Sequence, residues 1–241
     1  MKFHVVTLFP EVIDAYAQAS ILGRAQREKI LSIQSYQLRD FVAGPVKPKN
    51  GHGASEWSYK KIDERPYGGG PGMIIQAEPV IRAVESILKK ISKKKKSGLI
   101  YQSTKTKVLI TAAGGKPLTN AYAKNLSKKY AEVIIVCGRY EGLDARAKKV
   151  LKAEEVSVGP YILTGGEVPA LAIIDATARQ IPGVLGKLES LEEGRVASHE
   201  MYTRPEILTY KGKKYRVPKV LLSGNHKLLD AWKNKKRSNP K

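Results

Sequence analysis

The sequence predicts an α/β domain with a mostly parallel sheet, followed by a small second unit. Three observations carry this. Between His4 and Ile181 short apolar runs alternate with segments of helical period, the pattern of strands joined by crossover helices. Two of the runs end in turns rich in Gly and polar residues, Cys137–Gly142 and Thr164–Glu167. After Pro182 the periodicity fades, and a new pattern starts near Met201.

His4–Phe9 is the first predicted strand. Pro10 suits the first turn of a helix, with Val12, Ile13 and Tyr16 along one stripe. Ser20 is expected to cap a second helix reaching about Glu28, and Leu31–Leu38 to form a strand. From Val42 to Pro71 the chain is poor in periodicity and rich in Gly, Pro and Lys, so it reads as a long loop of the kind that is usually functional. Ala77–Ile91 is an amphipathic helix with Val80, Val84, Ile87, Leu88 and Ile91 inward. Lys89–Lys107 reads as a solvated, partly disordered insertion around the run Lys93–Lys96. Val108–Thr111 is a strand, Ala112–Pro117 a turn and Thr119–Tyr130 a helix. Val133–Val136 and Tyr161–Leu163 are strands, and Pro169–Ile181 is a helix. Pro182–His199 reads as a linker, and His226–Lys235 as the main helix of the second unit, ending in a basic tail. In open parallel sheets ligands sit beyond the carboxyl ends of the strands, where the Gly-rich turns and Ala112–Lys116 fall.

Charge narrows the partner. The 241 residues carry 43 Lys plus Arg against 22 Asp plus Glu, a net charge of +21. Such an excess favours a polyanion, because neutralising phosphates releases counterions. No long apolar segment and no basic amphipathic helix with a Trp/Phe face argues for a membrane partner. The opening MKFHVVTLFP reads as a buried strand rather than a signal peptide. A single cysteine, Cys137, excludes an intrachain disulfide and fits a reducing cytoplasm.

Several common chemistries find no support. Ala113-Gly114-Gly115-Lys116 lacks the leading Gly of a phosphate loop, and Pro117 stands where Ser or Thr would bind magnesium. Gly68-Gly69-Gly70-Pro71-Gly72 opens no dinucleotide-binding unit. The four histidines and the cysteine have no metal-ligand spacing, and Ser157 and Ser190 lack a His/Asp constellation. Taken alone, Asp175 and Arg179 read as a surface ion pair, four residues apart on one helix.

Nine blocks in order resemble one family. They are Thr7–Pro10, Ser20–Ala25, Arg39–Phe41, Asp63–Met73, Cys137–Gly142, Gly165–Ala170, Ile181–Gly186, Tyr202–Glu206 and Val220–His226. Together they cover nearly the whole chain and resemble the bacterial tRNA (guanine-N1)-methyltransferases of the TrmD type, within the SPOUT superfamily. The resemblance implies a deep C-terminal trefoil knot in the α/β domain, spanning residues 1–185. It implies a linker over 186–200 and a small helical tRNA-binding domain over 201–241. It also implies S-adenosylmethionine as methyl donor, a homodimer with shared active sites, and 1-methylguanosine at position 37 of tRNA as product. Stimulation by Mg2+ is a family expectation without a ligand motif in this sequence. Two rival readings are a SPOUT enzyme for another RNA position and a catalytically silent RNA-binding protein.

By position, the resemblance implies a cofactor site of three loops. Thr111, Ala112 and Ala113 form the first; Gly138, Tyr140 and Glu141 the second; Val158, Gly159, Pro160, Tyr161, Ile162, Leu163, Gly165, Gly166 and Pro169 the third. Guanine N1 carries a proton, so the reaction needs a general base, and charge growing on O6 needs a cation or donor. The family's Arg aligns with Arg179. Its base is an Asp in the linker, where this chain has no Asp; Glu189 stands at or beside that position, with Glu192 and Glu193 as alternatives. RNA contact is implied for Arg39, Asp63, Arg65, Tyr67, His199, Tyr202 and Arg204. The chain departs from the family at Pro160, where an Asp is common, and at Ala112–Gly115.

Overall fold

The structure, a computed structural model, describes residues 1–43, 61–96, 105–185, 200–225, 227–229 and 231–232. It divides into two compact units, Met1–Leu185 and Gly186–Lys241. In the first unit five strands form one parallel sheet: β1 (Lys2–Thr7), β2 (Ser32–Gln37), β5 (Thr106–Pro117), β6 (Glu132–Val136) and β7 (Glu154–Ser157). Their order is β2-β1-β6-β5-β7.

The period of two along these strands builds two cores. Phe3 and Val5 of β1, Leu109 of β5, and Val133 and Ile135 of β6 face one side. They pack with Ile13 of α1 (Pro10–Ala17), Leu22 and Ala25 of α2 (Ser20–Arg27), Leu126 of α4 (Asn120–Lys129) and Ile173 and Ile174 of α6 (Glu167–Ala178). Val6, Ile110, Ile134 and Val136 face the other side, against Val80, Val84, Ile87 and Ile91 of α3 (Ala77–Lys96) and Ala147 of α5 (Ala145–Leu151). Coverage of both faces is what an all-parallel sheet requires, since its strands are apolar on both sides. At the amino end of the sheet a polar cluster is satisfied internally. His4 Nε2 lies 2.8 Å from Glu132 Oε2, and His4 Nδ1 lies 2.9 Å from the Tyr36 hydroxyl. Burial pushes the Tyr36 phenol up.

The structure departs from the sequence reading in several places. Ser20 is not a cap: Ala19 takes that position, and no side chain caps α2. The stretch read as one long loop contains a short antiparallel ladder, β3 (Asp63–Glu64) with β4 (Ile74–Ile75), anchored by fully buried Ile62 and Ile75. Helix α3 runs on to Lys96 rather than stopping at Ile91. Lys is a good helix former, and its charge is favourable at a helix carboxyl end. Residues 97–104, the rest of the expected insertion, lie outside the described residues. The expected turn Ala112–Pro117 continues β5, with a register shift against β7 between Thr111 and Lys116.

The strand expected at Tyr161–Leu163 is displaced to β7, at Glu154–Ser157. The two acidic residues hid it, but each finds a lysine: Lys107 lies 2.7 Å from Glu154 and Lys148 2.6 Å from Glu155. Pro160, which has no N–H to give to a ladder, keeps the following residues out of the sheet. Helix α5 was not expected at all. Its signal is Asp144, whose carboxylate accepts the Arg146 N–H at 2.9 Å as an amino-terminal cap.

In the second unit the described residues include a hairpin, β8 (Ile207–Tyr210) and β9 (Lys213–Arg216), where a small helical domain was expected. A 3-10 turn follows at Lys219–Leu222, and residues 227–229 and 231–232 are helical. Among the described residues no helix is long and apolar enough to cross a membrane.

Candidate active site

The carboxyl ends of β6 and β7 and the middle of β5, where its register against β7 shifts, open onto one cavity of about 400 Å³. Its walls are Ile110–Ala113 within β5, Gly138–Ala145 after β6 with Lys148 of α5, and Glu155–Gly159 with Tyr161–Gly166 and Pro169 from the end of β7 onward. Every residue assigned by position to the three loops lines it except Pro160. Tyr161, Ile162 and Leu163 are exposed at its rim, Ile162 by 89%. Eight of the 25 lining residues are Gly or Ala, which leaves the main chain little covered at those positions.

The loops are tied to one another at their crossing. The Thr111 hydroxyl accepts the Gly138 N–H at 3.1 Å, and the Gly166 N–H donates to Gly138 O at 2.7 Å. Gly166 is required by close approach. A Cβ there would stand 2.1 Å from Thr111 Oγ1, 2.6 Å from Gly138 N and 2.8 Å from Cys137 Cα. Beneath the crossing lies a buried ionic clasp. Arg139 reaches Glu167 Oε2 through Nε at 3.0 Å and through its terminal nitrogen at 2.9 Å, and the Thr7 hydroxyl donates to Glu167 Oε1 at 2.7 Å. The guanidinium also lies over the Phe9 ring, 4.4 Å from its centroid. Thr7 ends β1, Arg139 follows β6 and Glu167 opens α6, so one carboxylate fastens three elements. Burial, reinforced by the Glu167 charge, holds the neighbouring Cys137 thiol well above its ordinary pKa, so it is a packing residue and not a nucleophile.

The clasp supports a prediction. Arg139→Ala leaves the Glu167 carboxylate, 3% exposed, without its cation. Breaking a buried pair in this way is costly, but Arg139 itself is 24% exposed and water can partly replace it. We expect a loss of about 2 kcal/mol in urea unfolding, with part of it recovered in the double variant Arg139→Ala/Glu167→Ala.

A glycine-rich loop leans on the same cavity. Glu141 N–H donates to Met73 O at 3.0 Å, and Ile75 N–H to Gly142 O at 3.0 Å. Gly72 packs so closely against the Glu141 side chain that a Cβ would stand 2.5 Å from its Cγ. Arg65 and Tyr67, on the same loop, do not line the cavity. Both are exposed, Tyr67 completely, whereas Asp63 is buried in β3. Arg39 is half-buried in the 3-10 turn Leu38–Phe41. In the second unit Tyr202 and Arg204 are exposed. Glu189, Glu192, Glu193 and His199 lie outside the described residues.

Arg179 is not in the cavity wall. It caps the carboxyl end of α6, whose amino end lines the cleft; 12 helical residues separate the two by roughly 18 Å. The expected ion pair with Asp175 is absent among the described residues. Asp175 instead accepts the Tyr16 hydroxyl at 2.8 Å, a bond that raises the Tyr16 phenol. No group of three or more His, Cys, Asp or Glu among the described residues is placed to hold a metal.

Comparison with known proteins supplies what geometry does not. Residues 1–240 match the family described as tRNA (Guanine-1)-methyltransferase TrmD. A tRNA (guanine-N(1)-)-methyltransferase of Persephonella marina is 40% identical over 242 residues, 98% of this chain and 83% of that protein. One from Clostridioides difficile is 38% identical over 237 residues, 97% and 90% of the two chains. One from Mycoplasma capricolum is 35% identical over 241 residues, 98% and 87%. With three loops closing on one cleft and a family match over almost its whole length, this chain belongs to the TrmD family of tRNA (guanine-1)-methyltransferases.

Proposed function

We propose that this protein transfers a methyl group from S-adenosylmethionine to N1 of guanosine 37 in tRNA. The observation that carries the reading is the cleft between the middle of β5 and the carboxyl ends of β6 and β7, in a chain that matches the family from residue 1 to residue 240. Its chemistry suits the donor. An apolar rim of Tyr161, Ile162 and Leu163 offers a face for adenine, and main-chain groups of the three loops can read its edges. Glu141 supplies a carboxylate for a cationic ligand in a protein of net charge +21.

When bound, S-adenosylmethionine supplies a methyl on a sulfonium, and the sulfur leaves as a neutral sulfide. The chain's own residues have two tasks. Glu189 takes the N1 proton as the N1–CH3 bond forms. Arg179 stabilises the negative charge that grows on O6. Holding guanine in line with the methyl is the larger part of the work, and it falls to the RNA contacts. We assign these to Arg39, Asp63, Arg65 and Tyr67 in the first unit and to His199, Tyr202 and Arg204 beyond it.

Arg179 lies roughly 18 Å along α6 from its own cleft. A homodimer in which each cleft receives Arg179 from the partner subunit accounts for this. Half-exposed apolar residues on α1 and α6, Val12, Tyr16 and Val168, offer such a dimer a surface. The tight passage of Gly166 between Thr111 and Gly138 is the packing a trefoil knot needs.

The test is to incubate the protein with methyl-labelled S-adenosylmethionine and unmodified tRNA bearing G36-G37. Labelled 1-methylguanosine is expected at position 37 and not in a tRNA with adenosine there. Label at another position would point to a different RNA target. Bound tRNA without any 1-methylguanosine would indicate a silent RNA-binding protein.

A further inference from the structure

The hairpin β8–β9 of the second unit has no counterpart among the elements expected from the sequence, and its surface is unusual. Its ten residues Ile207–Arg216 include four cations, Lys211, Lys213, Lys214 and Arg216, and no carboxylate. A hairpin kept polar only for solubility would mix the signs. The register pairs Leu208 with Tyr215 and Tyr210 with Lys213. Directly opposed residues share a face, so Tyr210 and Tyr215 stand on one side of the ribbon as diagonal neighbours, about 7–8 Å apart. Both rings are about half exposed, Tyr210 by 60% and Tyr215 by 49%.

Each ring has its own ammonium. Lys211 Nζ lies 5.5 Å from the Tyr210 centroid, and Lys213 Nζ lies 5.5 Å from that of Tyr215. Such pairs are weak when solvent-exposed, so a flat ligand can take the ring face while the lysine swings to a neighbouring anion. The turn fixes this arrangement. Lys211 and Gly212 have φ of 46° and 73°, the two positive values of a tight two-residue hairpin turn that matches strand twist.

We propose that this face is a stacking platform for two unpaired bases of the tRNA, with Lys211 and Lys213 neutralising the phosphates that join them. Aromatic rings accept any base face, and flanking cations track the backbone. The proposal rests on the tRNA reading above and adds to it an RNA-binding element on the second unit. Neither Tyr210 nor Tyr215 is needed for the chemical step.

The double variant Tyr210→Ala/Tyr215→Ala should raise the KM for tRNA about tenfold or more, leaving kcat and S-adenosylmethionine affinity unchanged. Tyr210→Phe/Tyr215→Phe keeps the rings and should restore tRNA affinity to near the original value. Lys211→Gln/Lys213→Gln should flatten the dependence of log Kd on log salt by about 2, one for each phosphate no longer neutralised. The direct readout uses tRNA carrying 2-aminopurine at single unpaired positions. Its fluorescence should be quenched on binding the original protein and the Phe variant, and not the Ala variant. The proposal falls if the Ala variant keeps its tRNA KM and its quenching, or if the Phe variant loses as much affinity as the Ala variant. Changed subunit assembly with unchanged tRNA affinity would also overturn it, making the face a protein contact. These outcomes leave 1-methylguanosine formation intact, whereas failure of the tRNA reading abolishes it in the unaltered protein.

Discussion

Glu189→Gln is expected to lower kcat for methyl transfer by about 10²- to 10⁴-fold near neutral pH, the range that positioned general bases contribute. Glutamine keeps the size and much of the polarity of the side chain but cannot take up a proton. The KM values for tRNA and S-adenosylmethionine should therefore stay close to those of the unaltered protein. Direction with pH separates proton removal from a structural role. A carboxylate base must be ionised, so activity of the unaltered protein should fall on the acid side. The Gln variant should instead gain rate as the pH rises toward the range where guanine N1 ionises unaided. Single-turnover rates across pH, with tRNA saturating, measure both. If Glu189→Gln keeps its full rate at neutral pH, Glu189 is not the base, and the same experiment moves to Glu192 and Glu193.

Gly166→Ala is expected to destabilise the first unit by about 3 kcal/mol, at the upper end of what overpacking usually costs. Two of the three atoms met by the new methyl, Gly138 N and Cys137 Cα, are backbone, and the third is Thr111 Oγ1, itself bonded to the Gly138 N–H. No side-chain rotation relieves that contact. For a chain of this size the loss should lower Tm by about 6–12 °C. Affinity for S-adenosylmethionine should fall further than stability alone requires, because the displaced segment is also the cavity wall. Thermal unfolding and calorimetric titration of Gly166→Ala test the two effects. Gly114→Ala is the control, since open space surrounds that position. Equal behaviour of the two variants would contradict the crossing of loops at Gly166.

The fold was legible where burial and period agreed. β1 and β6 are apolar runs at the centre of the sheet, and α3 shows its inward positions in the sequence. It was illegible where partners came from a distance. β7 looked too acidic to be a strand, and only Lys107 and Lys148, brought by β5 and α5, make Glu154 and Glu155 acceptable there. β3 and β4 are two residues each, too short to show alternation. The cleft was legible through resemblance rather than physics. Glycine-rich turns say that something approaches closely, not what it is. Its ionic clasp escaped notice because Thr7, Arg139 and Glu167 are far apart in the chain and individually ordinary.

A cleft whose loops cross through glycines has a consequence for how this protein can change. Side chains are rewritten by mutation, but peptide N–H and C=O groups are the same whatever residue carries them. Hydrogen bonds that a ligand makes to the Thr111, Gly138 and Gly166 segments therefore survive most substitutions that leave the fold intact, and substitutions that crowd Gly166 threaten the fold itself. An inhibitor anchored to those backbone groups would leave few escape routes in the wall of the cleft, whereas one anchored to Ile162 or Tyr161 at the rim would be easily evaded. The same logic locates evolutionary freedom: the exposed rim can diversify around a crossing of loops that stays constant.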